Sequence, residues 1–142
     1  MIQPQPRPLA KCVVLVDDEK AYLEMLSQQV AVNLGCPVHT FNRPEEAIEA
    51  IPGLNVGLII TDFLMPGLTG FQLIRRVQRI APEIPIVLIT AVPADFPDYD
   101  PAEMPSLKAI VHKPFKWTEL AGHIARHSPT ISNPPLPSDD SA

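Results

Sequence analysis

Five side chains of this 142-residue chain have the chemistry to build an ion-binding site together. Asp17 and Asp18 follow an apolar run at 11–16, and Asp62 follows another at 56–61. Thr90 ends a third at 84–90, and Lys113 follows a fourth at 107–112. Three carboxylates brought to one place repel and raise one another's pKa unless a cation compensates. All-oxygen ligands with a partly open shell suit Mg²⁺, which keeps several waters and is usually held by one or two carboxylates plus phosphate oxygens. An ammonium and a hydroxyl alongside add one positive contact and one neutral donor.

Taken singly, each residue has a plainer explanation. An acid after a strand serves as a turn former or helix N-cap, which suits Asp18 and, before Met65-Pro66-Gly67, also Asp62. Thr90 alone is a strand-end packing residue, Lys113 a solvated charge, and Pro114 the mark of a turn. The joint pattern favours a site, because this chemistry recurs at four strand ends and is missing from the opposite ends.

The elements that must position these groups alternate along the chain. Residues 11–16 form a short β-branched apolar run, right for a buried strand, and Leu23, Leu26, Val30 and Leu34 then share one helical stripe stopped by Gly35. A second strand is expected over 37–41. A short helix follows, with Asn42 as cap or Pro44-Glu45-Glu46 as first turn, and Ala47, Ile48 and Ile51 facing inward. The third strand spans 56–61, and the next helix buries Phe71, Ile74 and Val77 while Arg75, Arg76 and Arg79 face water. Strands at 84–90 and 107–112 precede a last helix, 116–127, that packs Trp117, Leu120, Ala121 and Ile124. Apolar rather than alternating strands, separated by helices, indicate a doubly wound α/β fold with a parallel sheet covered on both faces. Such sheets bind ligands outside the carboxyl ends of their strands.

Composition narrows the class. Apolar residues make up 46% of the chain, enough for one domain with a real core. No apolar run approaches the ~20 residues needed to span a bilayer. The prolines at positions 4, 6 and 8 fall where a signal peptide needs its apolar stretch, so a cytoplasmic protein is expected. A net charge of −5 without a basic cluster argues against direct nucleic-acid binding. Cys12 and Cys36 lack metal-ligand spacing and read as reduced thiols, with a disulfide as the lesser reading. The proline-rich ends, 1–9 and 128–142, are expected to be disordered tails around a folded body at 10–127.

At this point the motifs carry a resemblance. "VDDE" after the first strand, "TDFLMPGLTG" after the third, "LITA" at the fourth and "HKPF" at the fifth resemble the receiver domain of bacterial two-component response regulators, from about Cys12 to His127. The resemblance implies a flavodoxin-like five-stranded sheet of order 2-1-3-4-5. It implies that Asp62 accepts a phosphoryl group from a sensor histidine kinase or phosphotransfer protein. It further implies that Asp17, Asp18, Asp62 and the Leu64 backbone carbonyl hold Mg²⁺, and that Thr90 and Lys113 contact the phosphoryl oxygens. The chain would then be a phosphoacceptor rather than an enzyme, acting on an unidentified downstream protein. With only a short tail after His127, a stand-alone receiver is expected.

Three departures from the family pattern stand out. Pro93, Pro97, Pro101 and Pro105 recur every four residues where receivers form their fourth helix. Even with Pro93 in the first turn, the other three would cost a regular helix about 9 kcal/mol, comparable to the stability of a whole domain. An irregular loop or one short turn is therefore expected there. It is either a surface without a partner or a docking loop that exposes Phe96 and Tyr99. The switch position three residues before Lys113, commonly aromatic in the family, is Ile110, so phosphorylation is expected to act by ordering the proline-rich loop instead. Leu64 and Val92, which flank the phosphoryl site, are both apolar, and this predicts a long-lived phosphoaspartate.

Two rival readings differ in class. A phosphohydrolase with an aspartyl-phosphate intermediate would want Asp-x-Asp after the first strand, where this chain has adjacent acids at 17 and 18. A pseudo-receiver would keep the fold and be governed by protein contact alone; the full set of acids, threonine and lysine opposes it, while Ile110 and the altered loop favour it.

Overall fold

The computed structural model describes residues 11–92, 96, 99–128 and 131. Five parallel strands, β1 (Cys12–Val16), β2 (Val38–Phe41), β3 (Val56–Asp62), β4 (Ile86–Thr90) and β5 (Leu107–His112), form one sheet in the order β2-β1-β3-β4-β5. The helices are α1 (Lys20–Leu34), α2 (Pro44–Ala50), α3 (Gly70–Ile80) and α4 (Trp117–His127), and a single 3₁₀ turn, Ile51–Gly53, follows α2. This is the doubly wound architecture expected, with the strand order that the resemblance implied.

Alternation along the strands divides the core in two. Val13, Leu15, Leu58, Ile60, Val87 and Ile89 face Leu23, Leu26 and Val30 of α1 and Leu120 and Ile124 of α4. Val14, Val16, Ile59, Ile86 and Leu88 face Ala47 of α2 and Phe71, Ile74 and Val77 of α3. Burying each such aliphatic side chain is worth about 1.5–3 kcal/mol. The pairing Val14↔Ile59 and Ile60↔Val87 keeps the strand ends level, so the residues after β1, β3, β4 and β5 lie along one edge.

Local signals set the helix ends. Gly35 closes α1 in the left-handed region (φ 65°), its N–H donating to the Ala31 carbonyl. Thr69 and Gln72 form a reciprocal capping box on α3: the Thr69 hydroxyl accepts from the Gln72 N–H at 3.2 Å, and the Gln72 side chain accepts from the Thr69 N–H at 2.9 Å. Asn42 does not cap α2. Pro44, whose ring fixes a helical φ, takes the first helical position and leaves Arg43 as the flanking residue, without a side-chain cap.

Among the described residues no helix lies between β4 and β5, as the prolines predict. In its place a turn at 101–103 begins with the Asp100 carboxylate accepting from the Ala102 N–H (2.9 Å). The connection is held to the body by the Gln78 side chain, which donates to the Glu103 carbonyl at 2.7 Å, and by fully buried Met104. Of the two readings of this connection, the docking loop would expose Phe96 and Tyr99, and the structure does not fit that exposure. Both are half-buried, packed on the rings of Phe63 and Phe71 at centroid distances of 4.8 Å (Phe63–Phe96), 5.1 Å (Phe71–Phe96) and 5.6 Å (Phe71–Tyr99).

The expected boundary at His127 also falls short. Ser128 and Ile131 are buried: the Ser128 hydroxyl donates to the Gly57 carbonyl at 2.8 Å, and Ile131 joins the α1–α4 core. A side chain at Gly57 would meet Ile131 at 2.5 Å. Of the tails expected at 1–9 and 128–142, all but Ser128 and Ile131 lie outside the described residues. Cys12 is buried and Cys36 half-buried, both as free thiols.

Candidate functional site

The carboxyl edge of the sheet gathers the predicted side chains. Asp17 is buried directly after β1, Asp18 beside it is exposed, Asp62 is the last residue of β3, Thr90 the last of β4, and Lys113 the first after β5. One carboxylate oxygen from each of Asp17, Asp18 and Asp62 lies within 4.8 Å of the others. The Lys113 ammonium bridges two of them, 3.5 Å from Asp17 Oδ2 and 3.8 Å from Asp62 Oδ1. Its own backbone N–H donates to the Thr90 carbonyl (2.8 Å), tying the ends of β4 and β5 together.

Backbone donors orient the two more buried acids. Asp17 Oδ1 accepts from the Glu19 N–H, and Asp62 Oδ1 accepts from the Phe63 N–H, each at 2.9 Å. Burial nevertheless pushes both carboxyls above the usual aspartate range. For Asp17 the Glu19 N–H and then Lys113 pull the other way; for Asp62 Lys113 does so, opposed by the neighbouring acids. The Lys113 ammonium beside Asp17 and Asp62 does not offset their desolvation, so the three carboxylates together can take up further positive charge. That all-oxygen, anionic donor set fits a hard divalent cation such as Mg²⁺.

The other predicted positions take clear places. The Thr90 hydroxyl is buried and accepts from the Val92 N–H at 3.0 Å. Leu64 sits 59% exposed in the turn after β3, while Met65 beside it is buried and Gly67 supplies the left-handed residue (φ 88°). Gly70 lets α3 start against the acid: a Cβ there would lie 2.7 Å from the Asp62 carbonyl. Ile110 is half-buried on the face that carries Phe63, Phe96 and Tyr99.

Two residues at the site were not singled out from the sequence. Phe63 donates to Asp62 through its backbone and touches both Phe71 and Phe96 through its ring. Tyr22, in the first turn of α1, lies beneath Lys113, with Nζ 4.0 Å from its ring centroid. Burial, helped by Asp17, Asp62 and Glu19, pushes the Tyr22 phenol up to about 12, so it is neutral at physiological pH. An aromatic four residues after Asp18, one helical turn on, was the available signal. An open groove of about 580 Å³ beside it is lined by Tyr22, Met25, Ala91, Lys113, Phe115 and Trp117.

Comparison with known proteins agrees with this fold. The family model for the response regulator receiver domain matches residues 13–125. The response regulator protein FleR of Pseudomonas aeruginosa is 31% identical over 84% of this chain and 25% of its own length. The heme response regulator HssR of Staphylococcus epidermidis is 30% identical over 75% of this chain and 46% of its own. The chain spans between 17% and 50% of the length of such curated relatives. Among solved structures, the response regulator protein TrrA from Thermotoga maritima, in complex with Mg²⁺-BeF, superposes with a TM-score of 0.72 at 26% identity, covering 82% of this chain and 97% of that one. From its site motifs, its strand order and this match across most of its length, the chain belongs to the response regulator receiver domain family.

Proposed function

We propose that Asp62 is the phosphoacceptor of this receiver, taking a phosphoryl group from a sensor histidine kinase or phosphotransfer protein and thereby changing how the domain binds a downstream protein. The carrying observation is the convergence of Asp17, Asp18 and Asp62 within 4.8 Å, bridged by Lys113. An Asp62 carboxylate oxygen attacks phosphorus; the O–P bond of an acyl phosphate forms as the donor's N–P bond breaks, and the departing imidazole takes up a proton. Asp17, Asp18, Asp62 and the Leu64 carbonyl would hold Mg²⁺, which when bound neutralises charge on the transferring oxygens. Lys113 supplies a second cationic contact and Thr90 a hydroxyl donor to the same oxygens. That TrrA, a response regulator of similar fold, was solved in complex with Mg²⁺-BeF supports metal binding by this receiver.

The test is intact mass after incubation with Mg²⁺ and acetyl phosphate. One added phosphoryl group is expected, absent in Asp62→Asn and abolished by EDTA. Labelling that survives Asp62→Asn would assign the acceptor elsewhere. Ile110 at the switch position favours a second reading, a pseudo-receiver governed by protein contact alone; failure of both acetyl phosphate and a cognate kinase to label the chain would select it.

A further inference from the structure

We propose that Tyr22 is a positioning residue for this transfer: its ring face seats the Lys113 ammonium at the strand edge and retains it there when Asp17 is engaged with a metal ion. The proposal rests on the reading of Asp62 as phosphoacceptor.

The geometry around the ammonium carries it. Lys113 Nζ stands 3.5 Å from Asp17 and 3.8 Å from Asp62, beyond the ~2.7–2.9 Å of a tight charge-assisted hydrogen bond. Neither carboxylate therefore clamps it. On another side Nζ lies 4.0 Å from the Tyr22 centroid, well inside the ~6 Å within which a ring face attracts a cation. The contact is fixed from below, because Tyr22 is half-buried on α1 between the inward-facing Leu23 and the rim of the groove.

The three contacts are not equivalent once the site is loaded. Asp17 is one of the carboxylates that would hold the metal, and Asp62 is the group that reacts; both are drawn away from the lysine. The ring competes for neither. It attracts the ammonium through its quadrupole and, unlike a third carboxylate, leaves the full positive charge available to an incoming phosphoryl oxygen. A lysine side chain has a long flexible stem, so a fixed resting place for its head raises the fraction of molecules with the charge in line.

The test reads Lys113 directly. In the full chain with ¹³C-labelled lysine, the ε-methylene signal of Lys113, assigned through Lys113→Arg, is expected upfield of the other lysines through the ring current, and to remain so on adding Mg²⁺. Tyr22→Leu abolishes the shift and slows phosphorylation by acetyl phosphate roughly 3- to 10-fold, while Tyr22→Phe keeps both near wild type. An unshifted Lys113 in the wild-type chain with Mg²⁺ overturns the proposal, and this needs no variant at Tyr22 to fold. So does a Tyr22→Leu chain labelled at the wild-type rate, or a Tyr22→Phe chain as slow as Tyr22→Leu, which would make the hydroxyl rather than the ring the working part. A wild-type chain that takes up no phosphoryl group overturns the reading of Asp62 itself; the lysine signal, which requires no phosphorylation, tells the two failures apart.

Discussion

The ring of Phe96 packs 4.8 Å from that of Phe63, so the proline-rich connection rests on the residue whose backbone N–H donates to Asp62. Phe71 lies edge-on to both and stacks with Tyr99, and a charge change at Asp62 thus has a contiguous path of aromatic contacts into the connection. Ile110 shares that face without supplying a ring. Phosphorylation is expected to alter hydrogen exchange over residues 99–106, and Phe96→Ala to uncouple that response while costing roughly 1–3 kcal/mol of stability. Exchange that stays the same on phosphorylation would remove the connection from the switch.

Metal binding should depend on pH in a defined direction. The folded-state pKa values of Asp17 and Asp62 are raised, chiefly by burial. Their contribution to stability is therefore greatest below the unfolded aspartate value and is lost as pH rises through the raised folded values. At neutral pH the metal-free site is a net cost. Asp62→Asn is expected to raise the melting temperature of the metal-free protein near pH 7, an advantage that fades on acidification. Mg²⁺ stabilisation should follow the same profile, strong at neutral pH and vanishing once the carboxylates are protonated. Thermal melts from pH 3 to 8, with and without Mg²⁺, check both.

Leu64 is exposed and Val92 half-buried, and neither side chain has a group able to orient water toward a phosphoryl group on Asp62. Leu64→Asn or Val92→Glu is expected to shorten the phosphoaspartate lifetime by about tenfold, a fraction of the roughly 10²–10⁴ that a well-placed acid–base group contributes. Decay followed by intact mass measures it; equal lifetimes would show that water access is set by other residues.

At the edge opposite the site, Ser128 and Ile131 pack against Gly57. Ile131→Ala is expected to cost about 2–4 kcal/mol, as for other buried Ile truncations, and a chain ended at His127 at least as much, since it also loses the Ser128–Gly57 hydrogen bond. Gly57→Ala should destabilise by overpacking against Ile131. Urea unfolding at constant m-value reads all three.

The strands and the convergence of the candidate site residues on one edge were legible because each rests on a local rule. Unbroken β-branched runs mark buried parallel strands, and a parallel sheet puts all their carboxyl ends on one edge, so Asp17, Asp62, Thr90 and Lys113 converge whatever the detail of the packing. The proline spacing likewise argued against a helix before β5 through backbone chemistry alone, and none lies there among the described residues. The α2 cap was less legible, since Asn42 and Pro44 carry competing start signals and the fixed φ of proline prevailed. What only the tertiary structure decided are the contacts between segments that share no periodicity: Lys113, 96 residues from Asp17, over the ring of Tyr22; Phe96 turned inward onto Phe63; Ile131 seated against Gly57. A local pattern says that an aromatic or aliphatic side chain will seek burial. Which surface buries it depends on the shape left free by the rest of the chain, and that shape exists only once the sheet and its helices have packed.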